Sequence, residues 1–194
     1  MITEIPVLGF SYYRGDAVST SMDVHVKLMM VNYLAQVALT KAILPQMLDK
    51  SSGHIVAISS VQGRFAIPYR SAYSAAKHAL QAFFDSLRAE VADKGVSVTV
   101  VSPGYIRTSL SLNALRADGS TYGVMDETTA GGMAPKKMAE QILRAVASGK
   151  GGELIVSGFS ARFAILLRTL IPSLYFWVMS NRARRLSKEF LSDG

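Results

Sequence analysis

The stretch "SAYSAAKHAL", Ser71 to Leu80, decides how the chain is read. Its small residues suit a helix, and Tyr73 and Lys77 stand four apart, on one helix face. An ammonium beside a phenol favours the phenolate. Lys77 is therefore expected to lower the Tyr73 pKa, so that Tyr73 exchanges a proton with an alcohol or carbonyl near neutral pH. Alone, such a pair is usually a solvated helix face, and the flanking segments carry the decision.

Working outward, the helix is predicted from Ser71 to Asp93, stopped by Gly95. Upstream, "HIVAIS" is a β-branched run with few charges, which suits a buried parallel strand. Taken one residue further, as "HIVAISS", it ends at Ser60, and in open α/β sheets chemistry collects beyond the carboxyl ends of strands. Downstream, "VSVTVVS" reads as a second buried strand closed by Pro103-Gly104, with Thr108 on the loop that follows. "GELIVSG" reads as a third, after a long loop to Ala134 and a helix that opens at Pro135.

Further out, Val26, Met29, Met30, Tyr33, Leu34 and Val37 recur at helical spacing. They predict a helix from Met22 to about Leu48, with N-caps offered by Ser19 to Ser21 and, at Pro45, a kink or a short second helical piece. Residues 1–18 are expected to be irregular, since Pro6 weakens "IPVLGF" as a strand. Strands alternating with helices imply an α/β fold with a parallel sheet.

The chain has 194 residues, 49% hydrophobic and 18% charged, enough for one domain with a real core. Without cysteine, thiolate metal sites are excluded, and His25, His54 and His78 show no ligand spacing, so no metal is expected. The formal charge of +7 is partly local, in Arg182, Arg184, Arg185 and Lys188. No aromatic residues interleave with these, so nucleic acid is not an expected partner and an anionic membrane surface is the better one. The N-terminus lacks the basic start of a signal peptide. Residues 159–179 are strongly apolar but carry Arg162, Arg168 and Pro172. Three readings stay open for them: an interfacial amphipathic segment, a substrate-pocket or dimer element, or a membrane span.

Four stretches, "VNYLAQVALTKAILPQM", "GHIVAISSVQG", "YSAAKHAL" and "VSVTVVSPGYIRT", occur in the order typical of the short-chain dehydrogenase/reductase family. The chain resembles that family over about residues 14–157. The resemblance implies an oxidoreductase that interconverts a carbonyl and a secondary alcohol with NADP(H) or NAD(H). Tyr73 would be the acid/base, Lys77 its partner and a ligand of the nicotinamide ribose, and Ser60 the group that polarises the carbonyl. Asn32 would position a water of the proton relay. Pro103, Gly104, Ile106 and Thr108 would hold the nicotinamide. A lipid-like substrate, a homo-oligomer or a full-length partner subunit, and a membrane-associated location at the endoplasmic reticulum, with the cytoplasm as alternative, complete what it implies.

The family's opening TGxxxGxG turn, which holds the pyrophosphate, is not found in the sequence. "GKGGE", 149–153, does not replace it, lacking the phosphate-loop spacing, and reads as a helix stop and turn. The expected architecture is therefore α/β, a partial Rossmann-type doubly wound parallel sheet lacking the first strands and helices. Residues 19–158 would form the C-terminal part of the domain, preceded by a leader, 1–18, and followed by a hydrophobic then basic tail, 159–194. A truncated product is expected, with a non-catalytic dimerisation or regulatory partner as the alternative function.

Overall fold

Val and Ile runs without charge are stable only where both sheet faces are covered. The computed structural model describes residues 2–4, 15–125, 127–149 and 151–192. In it these runs form β2 (Gly53–Ile58) and β3 (Val96–Pro103), flanked by β1 (Ile2–Glu4) and β4 (Gly152–Val156). The strands pair in parallel in the order β1-β2-β3-β4. The helices are α1 (Met22–Met29), α2 (Ala35–Asp49), α3 (Ser71–Glu90), α4 (Glu127–Ala130), α5 (Pro135–Ala147), α6 (Phe159–Leu170) and α7 (Pro172–Ser192).

The period-2 alternation of strand side chains sends residues to two cores. Ile55, Ala57, Val98 and Val100 pack against Met47 of α2 and Leu80, Phe84 and Leu87 of α3. Val56, Val101 and Val156 face the other way, against Met138, Ile142 and Val146 of α5. Helices on both faces of a parallel sheet make the fold a part of a Rossmann-type domain. Burial of Phe84, Leu80 and Leu87 contributes about 2 kcal/mol each and clamps α3 along β2 and β3.

Residues 2–4 form a strand, where an irregular leader was expected; Ile2 to Glu4 supply the parallel partner that the open edge of β2 lacks. "IPVLGF" lies outside the described residues. Pro45 sits within α2, which runs on to Asp49 without starting a separate helix, and the long helix carries a π-helical turn at Met30–Leu34. One extra residue per turn there brings Asn32 inside, fully buried. The apolar row that marks this helix in the sequence lies partly outside: Val26, Met30 and Leu34 are exposed, while the polar Asn32, Gln36 and Thr40 are buried. Among the described residues only Met22–Asp49 is long and apolar enough to cross a membrane; its inner residues Val24 and Leu28 belong to a buried cluster with Ala72 and Tyr73.

Gly95 closes the turn between α3 and β3 with φ +70°. A Cβ there would stand 2.0 Å from Ser51 O. Gly95→Ala is therefore expected to destabilise the fold by about 1–3 kcal/mol, read as a lower midpoint in urea with an unchanged slope. An unmoved midpoint would show that the turn relaxes freely.

The apolar run 159–179 is not one span. Ile171 leaves helical geometry, Pro172 starts α7, and the two helices pack on each other. Val61, Phe65, Ile67 and Tyr175 form a buried cluster joined by Ala161, Ala164, Ile165, Leu167 and Met179. The Tyr175 hydroxyl donates to Ala66 O and pins α7 to the loop after β2.

Candidate functional site

The stripe that seats α3 on the sheet also builds the site. Leu80, Phe84 and Leu87 face the strands, and one and two turns nearer the N-terminus the same face carries Lys77 and Tyr73. Both are buried there. The ring of Tyr73 packs with Val24, Leu28, Ala72 and Leu115. From the end of β2 a 3₁₀ turn, Val61–Gly63, folds back toward α3. Gly63 permits this approach: a Cβ would stand 2.7 Å from Ser59 Oγ and 2.8 Å from Lys77 O.

Ser60 caps that turn, its Oγ accepting from Gln62 N at 3.1 Å, and its side chain is hydrogen-bonded to the Tyr73 phenol. The Gln62 side chain is held by Ser74 Oγ, which donates to Gln62 Oε1 at 3.2 Å. Lys77 Nζ donates to Ile58 O at 3.2 Å and lies 5.8 Å from the centre of the Tyr73 ring.

The electrostatics differ from the expectation of a Lys-lowered phenol. Burial pushes the Tyr73 phenol up to about 12; the Ser60 hydrogen bond and the Arg70 charge pull it back only in part. Burial likewise pushes Lys77 down to about 8. The physical reason is that the ammonium is anchored on Ile58 O, so loss of hydration outweighs its pull on the phenol. At neutral pH Tyr73 is a neutral phenol, able to donate a proton.

A cavity of about 740 Å³ opens beyond the carboxyl ends of β2, β3 and β4. Of the residues expected from the sequence, Ser60, Tyr73, Lys77, Pro103, Gly104, Ile106 and Thr108 line it. Asn32 does not; it is buried on the π turn, which packs against α3. Gln62, Tyr105, Ser157, Tyr175 and Arg182 also line the cavity and were not read from the sequence as site residues, Arg182 having stood out only for its charge. Only Tyr105 carried a local signal, standing inside the same loop as Ile106; Arg182 reaches the cavity through the fold of α7.

The wall at β3 and β4 suits the nicotinamide end of a dinucleotide. Ser157 Oγ is buried there without a hydrogen-bond partner, beside Gly104, whose N–H donates to Val156 O at 2.9 Å. A carboxamide brought to this wall would find a free hydroxyl. Among the described residues no cluster of His, Asp and Glu is arranged to hold a metal ion.

Comparison with known proteins agrees with this geometry. Residues 13–118 match the model of the short chain dehydrogenase family. A Drosophila melanogaster dehydrogenase/reductase SDR family protein 7-like is 61% identical over 173 residues, 89% of this chain and 53% of that relative. A Danio rerio dehydrogenase/reductase SDR family member 7B is 54% identical over 181 residues, 93% and 58% of the two chains. The chain thus spans about half the length of the curated relatives it matches. Among solved structures, a Burkholderia cenocepacia short chain dehydrogenase in complex with NADP superposes with a TM-score of 0.74 at 21% identity, over 92% of this chain and 68% of that one. A Streptomyces avermitilis short-chain dehydrogenase gives 0.68 at 26% identity, over 94% and 71%. With the family model covering more than half of its length and relatives above 50% identity, this chain belongs to the short-chain dehydrogenase/reductase family of oxidoreductases.

Proposed function

We propose that the chain forms the carbonyl-facing part of a nicotinamide-dependent reductase or dehydrogenase for an apolar, lipid-like carbonyl or secondary alcohol. The observation that carries this reading is Tyr73 in a largely apolar cavity, a buried neutral phenol hydrogen-bonded to Ser60 with Lys77 one helical turn away. In the reductive direction Ser60 polarises the substrate oxygen. Its Oγ already accepts from Gln62 N, which leaves the hydroxyl proton for donation. Tyr73 then passes its proton to that oxygen as negative charge develops, and the Lys77 ammonium steadies the phenolate left behind. Asn32, buried behind α3, is assigned a positioning part in the proton relay.

Pro103, Gly104, Ile106 and Thr108, with Tyr73 and Lys77, would hold the nicotinamide end. When bound, the cofactor supplies the hydride that no side chain can. The Burkholderia structure contains NADP, and we take NADP(H) or NAD(H) for this chain. The apolar lining contributed by Phe65, Ile67, Leu167 and Met179 supports the lipid-like substrate, and such a substrate places the chain beside a membrane.

A second reading, a non-catalytic partner for a full-length subunit or a second copy, is favoured by one observation. Met22, Val26, Met30 and Leu34 form an exposed apolar row along α1 and the π turn. Calorimetry separates the two. The chain is titrated with NADPH and NADH, with Tyr73→Phe as a check on the fold. Saturable binding near one per chain is the expected result for the enzyme. A folded chain that binds neither, and that associates through the α1 row, would replace that reading with the second.

A further inference from the structure

Between Glu153 and Glu189 the sequence holds five arginines, at 162, 168, 182, 184 and 185, and no acidic residue. This segment folds as the α6–α7 hairpin, whose inner side covers the cavity. Its outer side carries Phe163 (53% exposed), Leu166 (57%), Leu170 (72%), Leu174 (43%), Phe176 (54%) and Trp177 (64%). Single exposed apolar residues are ordinary; six bulky ones on one hairpin are not. The Arg168 guanidinium lies 5.0 Å from the centre of the Phe176 ring, so cationic charge sits against the apolar side chains.

We propose that the outer face of the α6–α7 hairpin docks on a bilayer containing anionic lipid, and that the cavity opens toward the acyl chains between Phe163 and Val178. Both of these residues line the cavity and are also exposed. The charge pattern selects lipid over a second copy of the chain. Arg162 donates to Ile155 O and Arg182 lines the cavity, so a two-fold dimer through this face would bring the exposed Arg168, Arg184 and Arg185 against their own copies, with Glu189 the one acidic residue of the two helices. Anionic headgroups complement Arg168, Arg184 and Arg185, and Trp and Phe suit the headgroup boundary. The hairpin lies on the bilayer rather than crossing it, because it breaks at Ile171 and carries Arg162 and Arg168 in its first helix. The docking rests on the hairpin alone; the entry route rests on the lipid-like substrate proposed above.

Trp177 is the only tryptophan in the chain, so its emission reports the docking directly. The purified chain is mixed with phosphatidylcholine vesicles with and without phosphatidylserine. The expected result is a blue shift, and quenching by brominated acyl chains, on the anionic vesicles, weakened by salt. Arg184→Gln with Arg185→Gln should weaken partitioning to them by about thirtyfold, at roughly one headgroup-scale interaction per arginine. Leu166→Glu with Leu170→Glu should abolish it while leaving the circular dichroism unchanged, since both side chains are exposed. Emission that no vesicle moves overturns the docking, as does binding that is equal on neutral vesicles. A blue shift without vesicles that follows dimerisation in the ultracentrifuge would assign the face to a second copy. Docked chain that takes up a water-soluble ketone but no vesicle-borne one would overturn the entry route and the lipid-like reading together, and leave the docking intact.

Discussion

On the proposed reading, Tyr73→Phe is expected to lower the turnover of a carbonyl substrate by about 10²–10⁴-fold, the range for loss of a positioned general acid. The ring stays in place: Phe keeps the packing with Val24, Leu28, Ala72 and Leu115 and loses only the hydroxyl that meets Ser60. The effect should therefore fall on kcat, with KM for the substrate and affinity for NADPH changed by much less. Steady-state reduction of an apolar ketone, followed by NADPH absorbance, measures it. Burial and a pKa pushed up to about 12 keep the phenol protonated throughout the neutral range, as an acid must be. A variant that retains more than about a tenth of the wild-type kcat would assign the proton to another group.

Lys77→Met is expected to abolish turnover and, at neutral pH, to stabilise the fold. Lys77 has a folded-state pKa of about 8 against 10.5 for the ordinary group. A depressed lysine pKa means that the unfolded chain holds the proton more tightly, so below pH 8 the buried charge weighs against folding. The drop corresponds to about 3 kcal/mol. As pH rises from 8 to about 10 that cost disappears and stability climbs. Tyr73 acts in the opposite sense above pH 10, where the unfolded phenol ionises and the folded one, at about 12, does not. Stability from these two groups therefore peaks near pH 10 and falls toward 12. Met fills the site without charge; after the lost hydrogen bond to Ile58 O, a net gain of about 2 kcal/mol at pH 7 remains. Urea midpoints across pH 7–11 test this. A wild-type midpoint that stays level between pH 8 and 10 would mean that the ammonium is well solvated in its pocket.

The two variants bear on one correction. Spacing puts Tyr73 and Lys77 on one helix face, and from that the ammonium was expected to depress the phenol. In the folded chain the Nζ is drawn to Ile58 O, the strand-end carbonyl below it, and both groups sit where water is excluded. Burial then moves both toward their neutral forms, the phenol up and the amine down. Spacing along a helix says which residues are neighbours; it carries no information about the dielectric around them.

Local sequence alone determined the two central parallel strands, β2 and β3, because uncharged Val and Ile runs are stable only when covered on both faces. The same holds for the order of Ser60, Tyr73, Lys77 and the Pro103–Thr108 loop, since these sit at strand ends and on one helix stripe whose periods are local. Tertiary structure decided the rest. A π turn inserted into a long helix rotates Asn32 inward and leaves Met30 and Leu34 outside, a choice made by packing against α3. The break at Ile171 folds an apolar run into a hairpin whose inner face roofs the cavity and whose outer face is left open. Residues more than a hundred positions apart, Ala66 and Tyr175 among them, meet there through long-range contacts that no window of the sequence contains.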